Sequence, residues 1–591
     1  MRPVIAAIFL AFPLLAQTLI TGGNWTYPNA DGFTTISINP LPDGATTAFH
    51  AITTAATPST PYSTQASRVL PAAFDKGRWL RFRLWARSDT SNRIGLVHEL
   101  NSGTYSKSLS YTIRLSTEWK EFAIAYQTDA YAVNASALRI QTGFDAGSVD
   151  LASIRLEDFG TSTIPPLNIN FDAFGGQSTD DTWREAAQQR IETYRKGPLH
   201  ISVVDADGNP IPGAAIHVEQ QRHAFKFGTA IADGPLFANT ADGDKYRQTI
   251  LRLFNYAVLE NALKWDFNNG NFSTADRMLT WASNNNLPVR GHNLFWPSYQ
   301  YLPASVRSLR GTALRAAIEA HIKDYSTRTV SRVVLWDVIN EAYTNTEVTA
   351  EVGHDLLWQA YIWAHEINPD IDLVYNDYDL SNVRGGASDA HRNGTLAIIK
   401  EMLAKGAPVT MLGDQGHMNP PFTPIPRVME VWDQMSQFNL PIEITEFDVT
   451  LGGIRDEAVQ SKYFDDFLTA AFSHPNIRSF LMWGFWDGSH WLAVQGAGMY
   501  RLDWSPRPMA AIYEQRVLND WWTRADLTSV DDGTADVRAF LGTHLITVTI
   551  GDQTYTAQVT VDKNQDQQNA VTVTVPSPSS PTLRSRVKLL F

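Results

Sequence analysis

The chain has 591 residues, of which 44% are apolar and 18% are charged. This composition excludes a wholly disordered chain, because such chains have few apolar residues and a high net charge. The formal net charge of −13 argues against phosphate backbones and anionic lipid surfaces as the main partners. The absence of cysteine excludes disulfides, thiolate zinc sites and a cysteine nucleophile. The 18 Trp, 20 Tyr and 28 Phe instead favour ligands with flat apolar faces.

The first 16 residues (1–16) are predicted to form a secretory signal peptide. Arg2 precedes an apolar run over residues 4–15, and the small residue Ala16 follows that run. The alternative is a membrane anchor, but the run is shorter than the ~20 residues that span a bilayer. Because the chain also lacks a cysteine for lipid attachment, we expect a protein that is secreted or periplasmic.

Residues 20–160 are predicted to form a β-sandwich. Short runs in which apolar and polar residues alternate recur here, for example at 80–85, 110–115 and 121–126. Many short strands without helical stretches are typical of a β-sandwich. A linker, a helix and a β-hairpin are predicted over the following residues, 161–222.

A β-hairpin is predicted on each side of the central region. The first joins the runs 199–204 and 214–218, and the second joins the runs 545–550 and 554–561. The second hairpin belongs to a predicted C-terminal β unit over 523–575. We expect the two hairpins to pack together into one small β unit. Residues 576–591 are rich in Pro and Ser at their start and are predicted to be a flexible tail.

The central region, residues 223–522, alternates between short apolar runs and amphipathic helical stretches. The eight apolar runs lie near residues 224–230, 256–260, 288–294, 333–339, 371–376, 408–413, 441–445 and 477–484. Eight such runs favour a (β/α)₈ barrel. The alternative is an open doubly wound sheet, but no glycine-rich phosphate loop follows the first run. The predicted fold class is therefore α/β, a (β/α)₈ TIM barrel with an N-terminal β-sandwich and small flanking β-hairpins.

Polar side chains follow seven of these runs, at the strand ends where barrel active sites form. Glu341 and Glu446 are the strongest candidates for a catalytic pair. Each follows an otherwise apolar strand, and the fourth and seventh strands of a barrel face each other across it. Two carboxyl groups so placed can cleave a glycosidic bond, one protonating the leaving oxygen and the other attacking the anomeric carbon. A single Glu after a strand is more often an ion-pair partner. The pairing, with Asn340 adjacent and His417 available, favours catalysis instead.

His417 is predicted to support the nucleophile rather than to bind a metal. No HxH or HExxH spacing accompanies it, and His292 lies on a different strand, so no metal or other cofactor is predicted. A hydrogen bond from His417 would keep Glu446 ionised, with Asp448 as the third member of that network.

Three tryptophans near the strand ends are candidates for sugar stacking. Trp296, Trp483 and Trp491 are each open to the alternative of a core position, since buried tryptophan is common. Their places at the strand tips favour stacking on the flat faces of pyranose rings.

The stretch from about residue 222 to residue 517 resembles glycoside hydrolase family 10, whose members are mostly endo-β-1,4-xylanases on a (β/α)₈ barrel. The motifs that carry the resemblance occur in the family's order: Glu260-Asn261 with Lys264-Trp265, Arg290-Gly291-His292, Trp336-Asp337-Val338-Ile339-Asn340-Glu341, Tyr375-Asn376-Asp377-Tyr378, Gln415 with His417, Thr445-Glu446 with Asp448, and Trp483 with Trp491.

The resemblance implies that Glu341 is the general acid/base and Glu446 the nucleophile of a retaining double displacement. It also implies that Asn340 binds the sugar hydroxyl next to the reacting carbon and that His417 and Asp448 hold Glu446. The residues implied in substrate binding are Lys264, His292, Trp296, Gln415 and Trp483 before the scissile bond, Glu260 and Asn261 at the next sugar outward, and Tyr378 on the leaving-group side. Separately, we expect the large indole of Trp491 to lie over the cleft and to exclude the hydroxymethyl group of glucose by overlap; the alternative is that Trp491 packs beneath the cleft.

The sequence also departs from the family's pattern. Many members carry His-Ser-Gln after the equivalent of Trp296, whereas this chain has Pro297-Ser298-Tyr299-Gln300, so Gln300 is given no role. Gly416 and Phe447 replace the more usual Ser and Leu. The N-terminal region resembles β-sandwich carbohydrate-binding modules in pattern only. Four aromatic residues in this region are candidates for glycan binding: Trp25, Trp79, Trp85 and Tyr111. None is assigned a binding role, because in a β-sandwich at least half of them should be core residues.

The predicted function is a secreted endo-β-1,4-xylanase that hydrolyses internal β-1,4-xylosidic bonds by a retaining mechanism with two glutamates. The predicted partner is xylan or a related plant cell-wall polysaccharide, and neither nucleic acid nor a membrane is expected. One alternative keeps the fold and mechanism but acts on decorated arabinoxylan or mixed-linkage β-glucan. Another is a non-catalytic glycan-binding protein, which predicts the loss of one carboxylate, and both carboxylates are present.

Overall fold

The structure is a computed structural model, and it describes the residue ranges 17–21, 25–26, 34–36, 41–90, 92–161, 173–174, 181–383, 386, 388–451, 456–563 and 569–576. The predicted signal peptide, nearly all of the predicted linker and the tail after residue 576 lie outside the described residues. The chain divides into two compact units, one formed by residues 1–178 with 420–422 and 451–456, the other by the remainder from residue 179 onward.

The described residues of the N-terminal unit form ten strands. They are β1 (Gln17–Thr21), β2 (Thr34–Ile36), β3 (Ala48–Thr53), β4 (Gln65–Leu70), β5 (Trp79–Ser88), β6 (Arg93–Leu100), β7 (Lys107–Arg114), β8 (Lys120–Gln127), β9 (Ser136–Gln141) and β10 (Gly147–Gly160). One sheet has the order β2-β3-β10-β5-β8, with β1 also paired to β10, and the other has the order β4-β9-β6-β7. Alternate residues of both sheets, such as Phe82, Ile124, Leu96 and Ile140, meet in one buried core.

The four aromatic residues left unassigned in this unit are mostly part of its interior. Trp25 and Tyr111 belong to the core between the two sheets, and Trp79 is buried as well. Trp85 is half-buried and packs against a second small apolar cluster that includes Leu41. The indole and phenol rings are therefore used for packing, as alternation along the strands would place them.

The second unit begins with helix α1 (Trp183–Tyr194) and two strands, β11 (Lys196–Asp205) and β12 (Ala215–His223), which precede the barrel. The barrel strands are β13 (Lys226–Ile231), β14 (Tyr256–Leu259), β15 (Val289–Gly291), β16 (Leu335–Asn340), β17 (Asp372–Asp377), β18 (Met411–Asp414), β20 (Ile442–Val449) and β21 (Ile477–Met482), with a two-residue strand β19 (His417–Met418) beside the end of β20.

These eight strands form a closed parallel barrel. Each is hydrogen-bonded to the next, β18 pairs with β20, and β21 returns to pair with β13. All residues of β16 and β20 are buried, as expected for parallel strands that are covered on both faces. The predicted (β/α)₈ barrel is confirmed.

The helices of this unit connect the barrel strands. After α1 they are α2 (Asp233–Phe237), α3 (Ala241–Leu253), α4 (Ser273–Asn284), α5 (Gly311–Arg328), α6 (Glu347–Val352), α7 (Leu356–Ile367), α8 (Asp389–Ala404), α9 (Ile425–Ser436), α10 (Glu457–Ser473) and α11 (Pro508–Gln515). Among the described residues, no helix has both the length and the apolarity needed to cross a bilayer.

In the described part of the C-terminal region, 523–563 and 569–576, five strands complete a small β unit with β11 and β12. They are β22 (Arg524–Thr528), β23 (Thr534–Phe540), β24 (Gly542–Ile550), β25 (Gln553–Val561) and β26 (Ala570–Val575). One sheet has the order β23-β11-β26 and the other β22-β12-β24-β25. The two sheets share one apolar core, to which Leu199, Ile216 and Ile546 contribute.

The first predicted hairpin is wrong in its pairing. β11 and β12 are neighbours along the chain but lie in different sheets, with only an isolated bridge between Val204 and Pro210 near the turn. Leu199, Ile201 and Val203 alternate along β11 and face the core, so this strand stacks over β12 across that core instead of lying beside it. The second predicted hairpin is present as the antiparallel pair β24–β25.

Candidate active site

The carboxyl ends of the barrel strands surround a cavity of about 330 Å³. The residues that line it are Lys264, His292, Trp296, Asn340, Glu341, Tyr378, Asp379, Gln415, His417, Glu446, Trp483 and Trp491. All except Asp379 are among the site residues chosen from the sequence. The remaining three are Glu260, Asn261 and Asp448. Asn261 contacts Lys264, Asp448 contacts His417, and Glu260 is hydrogen-bonded to Asn261.

Glu446 lies within β20, and its side chain is held as an anion. It is 5% exposed, and its Oε1 accepts a hydrogen bond of 2.8 Å from Asn376 Nδ2. His417 Nε2 lies 3.4 Å from its Oε2, and His292 Nδ1 lies 3.9 Å from its Oε1. Burial alone would raise its pKa, but the attraction of His292, His417 and Lys264 outweighs burial and lowers the pKa of Glu446 to about 2. Glu446 is therefore ionised at neutral pH.

His417 links Glu446 to Asp448. The adjacent register of β19 and β20 places His417 opposite Asp448, and His417 Nδ1 lies 3.0 Å from Asp448 Oδ2. Burial opposes the charged ring, yet the two neighbouring carboxylates outweigh it and raise the pKa of His417 to about 10. The charged imidazolium therefore lies between two anions and stabilises the ionised form of Glu446.

We expect the substitution His417→Gln to shift the acidic limb of the pH–rate profile upward. Without the imidazolium charge, the pKa of Glu446 rises from about 2, so this carboxylate, the expected nucleophile, becomes protonated at a higher pH. Loss of a close opposite charge changes such a pKa by about 1–3 units. Initial rates measured across the acidic range give the shift. The matched control is His354→Gln, an exposed histidine paired with Glu401, which should leave the limb in place. A lower rate with an unmoved limb would contradict the electrostatic role.

Glu341 follows β16 directly and has a different environment. Its backbone lies in the left-handed region, with φ of 58°, and its N–H donates to the carbonyl of Asn376 at 2.9 Å. Its Oε1 accepts hydrogen bonds from Gln415 Nε2 at 2.8 Å and from Asn340 Nδ2 at 3.2 Å. Burial raises the pKa of Glu341 to about 7, and the negative charges of Glu446 and Asp377 act in the same direction. Glu341 can therefore carry or release a proton near neutral pH.

Asn376 was not selected from the sequence, although it links Glu446 to Asn340, which in turn contacts Glu341. Its Nδ2 donates to Glu446 Oε1 at 2.8 Å and to Asn340 Oδ1 at 2.9 Å. Its Oδ1 accepts a hydrogen bond of 2.7 Å from the hydroxyl of Thr445, which fixes which end of the amide faces Glu446. The only sequence signal was its place next to the end of the fifth strand, in Tyr375-Asn376-Asp377.

A buried chain of charges lies beneath the cavity. His292 Nδ1 is 2.8 Å from Asp337 Oδ2, and Asp337 Oδ1 accepts from Arg290 Nη2 at 2.5 Å. Arg290 Nε in turn donates to Glu443 Oε2 at 3.2 Å, and Arg290, Asp337 and Glu443 are completely inaccessible to solvent. Buried charges are costly unless they are paired, so these four side chains are held in fixed positions. The ion pair with Asp337 therefore fixes the orientation of the His292 ring beside Glu446.

The three tryptophans surround the cavity in different ways. Trp483 is 7% exposed, with its ring edge-on to His292, whereas Trp296 stacks on Tyr301 with ring centroids 3.5 Å apart. Trp491 is 58% exposed, which is inconsistent with a core position, and its Nε1 donates to Asp448 Oδ2 at 2.8 Å. All three thus present aromatic surface at the cavity.

The remaining predicted residues extend the site along the cleft. Lys264 Nζ donates to Asn261 Oδ1 at 3.0 Å and lies within 6 Å of the Trp296 and Trp483 rings. Burial raises the pKa of Glu260, while Lys264 opposes this shift. Tyr378 lies on the other side of Glu341, with its hydroxyl 3.2 Å from Thr344 Oγ1. The site therefore has polar groups on both sides of the carboxylate pair.

Comparison with known proteins identifies the barrel. Residues 217–514 match the sequence model of Glycosyl hydrolase family 10. The chain is 29% identical over 398 residues to Anti-sigma-I factor RsgI6 of Acetivibrio thermocellus, covering 66% of this chain and 50% of that protein. It is 27% identical over 402 residues to Endo-1,4-beta-xylanase 1 of Arabidopsis thaliana, covering 65% of this chain and 40% of that protein. The chain thus spans half or less of the length of these two curated relatives.

Among solved structures, xylanase 10B of Thermotoga petrophila in complex with xylobiose is 27% identical, with a TM-score of 0.45, and the match covers 50% of this chain and 95% of that one. The family match extends over half of the chain, from near the start of β12 to near the end of α11. The chain therefore belongs to glycosyl hydrolase family 10.

Proposed function

We propose that this protein is an endo-β-1,4-xylanase that cleaves internal bonds of xylan with retention of configuration. The observation that carries the proposal is the contrast between two carboxyl groups at one cavity. Glu341 has a pKa of about 7, and Glu446 has a pKa of about 2. Between these values one group is protonated while the other is ionised, which is what an acid and a nucleophile require. The family membership and the relatives named as xylanases support the same reaction.

The proposed reaction has two steps. Glu446 attacks the anomeric carbon while Glu341 donates its proton to the glycosidic oxygen, so the leaving sugar departs as an alcohol and a glycosyl ester forms on Glu446. Glu341, now ionised, then removes a proton from water, and the water oxygen displaces Glu446. Two inversions at the same carbon give net retention.

The neighbouring amides are suited to assist both steps. Asn376 donates to Glu446 and aligns Asn340, whose own amide lies against Glu341. Because these amides are fixed before substrate arrives, they stabilise charge at the reacting centre without a reorganisation cost. In this scheme Asn340 also hydrogen-bonds the sugar hydroxyl beside the anomeric carbon.

The fixed position of Trp491 supports xylan over glucan. The bond from its Nε1 to Asp448 and the edge-on contact of its ring with His417, at 5.2 Å between centroids, restrict rotation of the indole. Xylose lacks the hydroxymethyl group of glucose. A large ring held over the cleft excludes that group by overlap, so the site discriminates by size.

We expect Trp491→Ala to raise the rate on an aryl cellobioside relative to an aryl xylobioside by about tenfold or more, the usual range for a pocket that rejects a small extra group. The ratio of kcat/KM values for the two substrates measures this change. Trp491→Phe, which keeps an aromatic ring at the site, is the matched control and should gain less. If the ratio of kcat/KM values is unchanged in Trp491→Ala, Trp491 does not determine the preference for xylose over glucose.

The proposed function is tested by a product profile on purified arabinoxylan, mannan, mixed-linkage glucan and carboxymethylcellulose. Xylan should be cleaved fastest, with short xylo-oligosaccharides as products, and proton NMR should detect the β-anomer first. Faster cleavage of mixed-linkage glucan would favour the β-glucanase alternative. An initial α-anomer would overturn the retaining mechanism.

We also propose that the N-terminal unit binds polysaccharide on the outer face of its β4-β9-β6-β7 sheet. Gln141 alternates with the core residue Ile140, so it faces away from the core, yet it is only 8% exposed. It lies opposite Gly95 on one neighbouring strand and Gln65 on the other. Among the described residues, Gln65 Oε1 is buried without a hydrogen-bond partner. Two adjacent amides on this face are suited to sugar hydroxyls.

The test of this second proposal uses the full chain with the inactivating substitution Glu446→Gln. Adding Gln141→Ala should reduce its retention on insoluble xylan. Gln127→Ala, at an exposed position on the other sheet, is the control and should bind like the parent. Equal retention of all three proteins would count against this face as a binding surface.

A further inference from the structure

A second cavity, of about 230 Å³, lies at the opposite end of the barrel from the active site. Its walls come from the amino ends of β13 and β21 and from the small β unit, and they include Phe225, Phe472 and Tyr194. The cavity is lined by three cationic side chains, Arg195, Arg478 and Lys563. Among the described residues, no carboxylate lines it. This is unusual for a chain with a net charge of −13.

Arg195 lies at the base of the cavity and is 7% exposed. Its guanidinium donates to three backbone carbonyls, those of Phe472 at 2.5 Å, His474 at 2.7 Å and Ile477 at 2.9 Å. The same group lies over the Phe225 ring, 4.8 Å from its centroid. These contacts hold the guanidinium rigidly, but none of them is a carboxylate, so its charge is not neutralised by the described residues.

Arg478 and Lys563 lie at the rim, where solvent reaches them. Arg478 Nη1 donates to the carbonyl of Pro475 at 2.8 Å, and Lys563 Nζ lies 4.2 Å from the centroid of the Tyr194 ring. Neither forms an ion pair with a described residue, in contrast to Arg516, which is 2.7 Å from Asp465 in the same unit.

The three charges repel one another. Burial lowers the pKa of Arg195 to about 9, and the charge of Arg478 adds to this effect. Burial, followed by the charges of Arg478 and Arg195, also lowers the pKa of Lys563. Like charges gathered without a counter-charge destabilise the fold, and an anion bound among them removes that cost.

We propose that this cavity binds a small oxyanion, a phosphate or a carboxylate. The charge of the Arg195 guanidinium at the base and two further cations at the rim match the charge and the several acceptor oxygens of such a group. The aromatic faces are already covered by Arg195 and Lys563, so the site selects for charge rather than for a flat sugar face. The site is separate from the carboxylate pair, and its occupancy does not depend on the proposed function.

The test is isothermal titration of the full-length protein with inorganic phosphate and, separately, with glucuronate. Xylose serves as the neutral control, and sodium chloride serves as the control for ionic strength. We expect saturable binding of at least one anion below about 10 mM. Tighter binding of phosphate would indicate a phosphorylated ligand, and tighter binding of glucuronate would indicate a sugar acid. Either result supports the site.

The double variant Arg478→Gln/Lys563→Gln should bind the anion at least about tenfold more weakly, because it removes two charge-assisted contacts. Arg195 is left in place, since its three carbonyl bonds support the surrounding backbone. Lys76→Gln/Lys120→Gln removes two exposed charges from the N-terminal unit and is the charge-matched control. Circular dichroism establishes that both variants are folded. No saturable binding, an equal response to chloride, or unchanged affinity in the rim variant would each overturn the proposal.

Discussion

Replacing Glu446 with Gln is expected to stop the hydrolysis of xylan and to leave polysaccharide binding nearly intact. Glutamine fills the same space beside Asn376 and His417, but it has no negative charge with which to attack the anomeric carbon. Removal of a central catalytic group of this kind lowers kcat by about 10⁴- to 10⁶-fold. The release of reducing sugar from xylan measures the rate, and titration with a xylo-oligosaccharide measures the binding.

The control for this experiment is Glu430→Gln, which changes an exposed glutamate on α9 and should retain the activity of the unmodified protein. Turnover that survives in the Glu446→Gln variant would show that another group is the nucleophile. Loss of binding together with activity would show instead that the substitution disrupts the cavity. The two readouts therefore separate a chemical role from a structural one.

Activity on xylan is expected to fall as the pH rises above about 7, the pKa of Glu341. The acid form of Glu341 must donate the proton, and the fraction in that form falls tenfold for each pH unit above the pKa. Glu446 is ionised throughout this range, because its pKa is about 2. The alkaline limb of the profile of kcat/KM, measured from pH 5 to about 9, therefore reports on Glu341.

The substitution Glu341→Ala should remove that limb and slow the cleavage of xylan by about 10²- to 10⁴-fold. A dinitrophenyl xylobioside should be affected much less in its first step, because its leaving group departs without protonation. Glu185→Gln, an exposed glutamate on α1, is the control and should keep the alkaline limb. Equal losses on xylan and on the dinitrophenyl substrate would contradict the assignment of Glu341 as the proton donor.

The barrel and its central chemistry were accessible from the sequence because both depend on local patterns. Apolar runs separated by amphipathic helices reflect strands that are buried on both faces, and β16 shows this directly. The polar residues after those runs then fall at one end of the barrel by topology alone. Glu341 and Glu446 could be paired in this way, whereas the family resemblance supplied the substrate-binding residues among the other nine predicted residues that line the cavity.

The small β unit shows where this reasoning fails. Both strands of the first predicted hairpin are present near their predicted positions, as β11 and β12. They do not pair with each other, although a turn connects them. β11 pairs with β23 and β26, and β12 pairs with β22 and β24, all of them more than 300 residues further along the chain. Alternation specifies which face of a strand is buried, but not which other strand lies beside it.

By itself, the sequence determined the type of barrel, the family resemblance and the identity of the two carboxylates, since periodicity and motif order are properties of the chain. The tertiary structure alone decided that Asn376 and Asn340 together connect those carboxylates and that Glu341 and Glu446 differ in pKa. It also decided that three cations meet at the far end of the barrel. The physical reason is that a pKa and a hydrogen-bond partner depend on burial and on charges a few ångströms away, and in this fold those neighbours come from segments far apart in the chain.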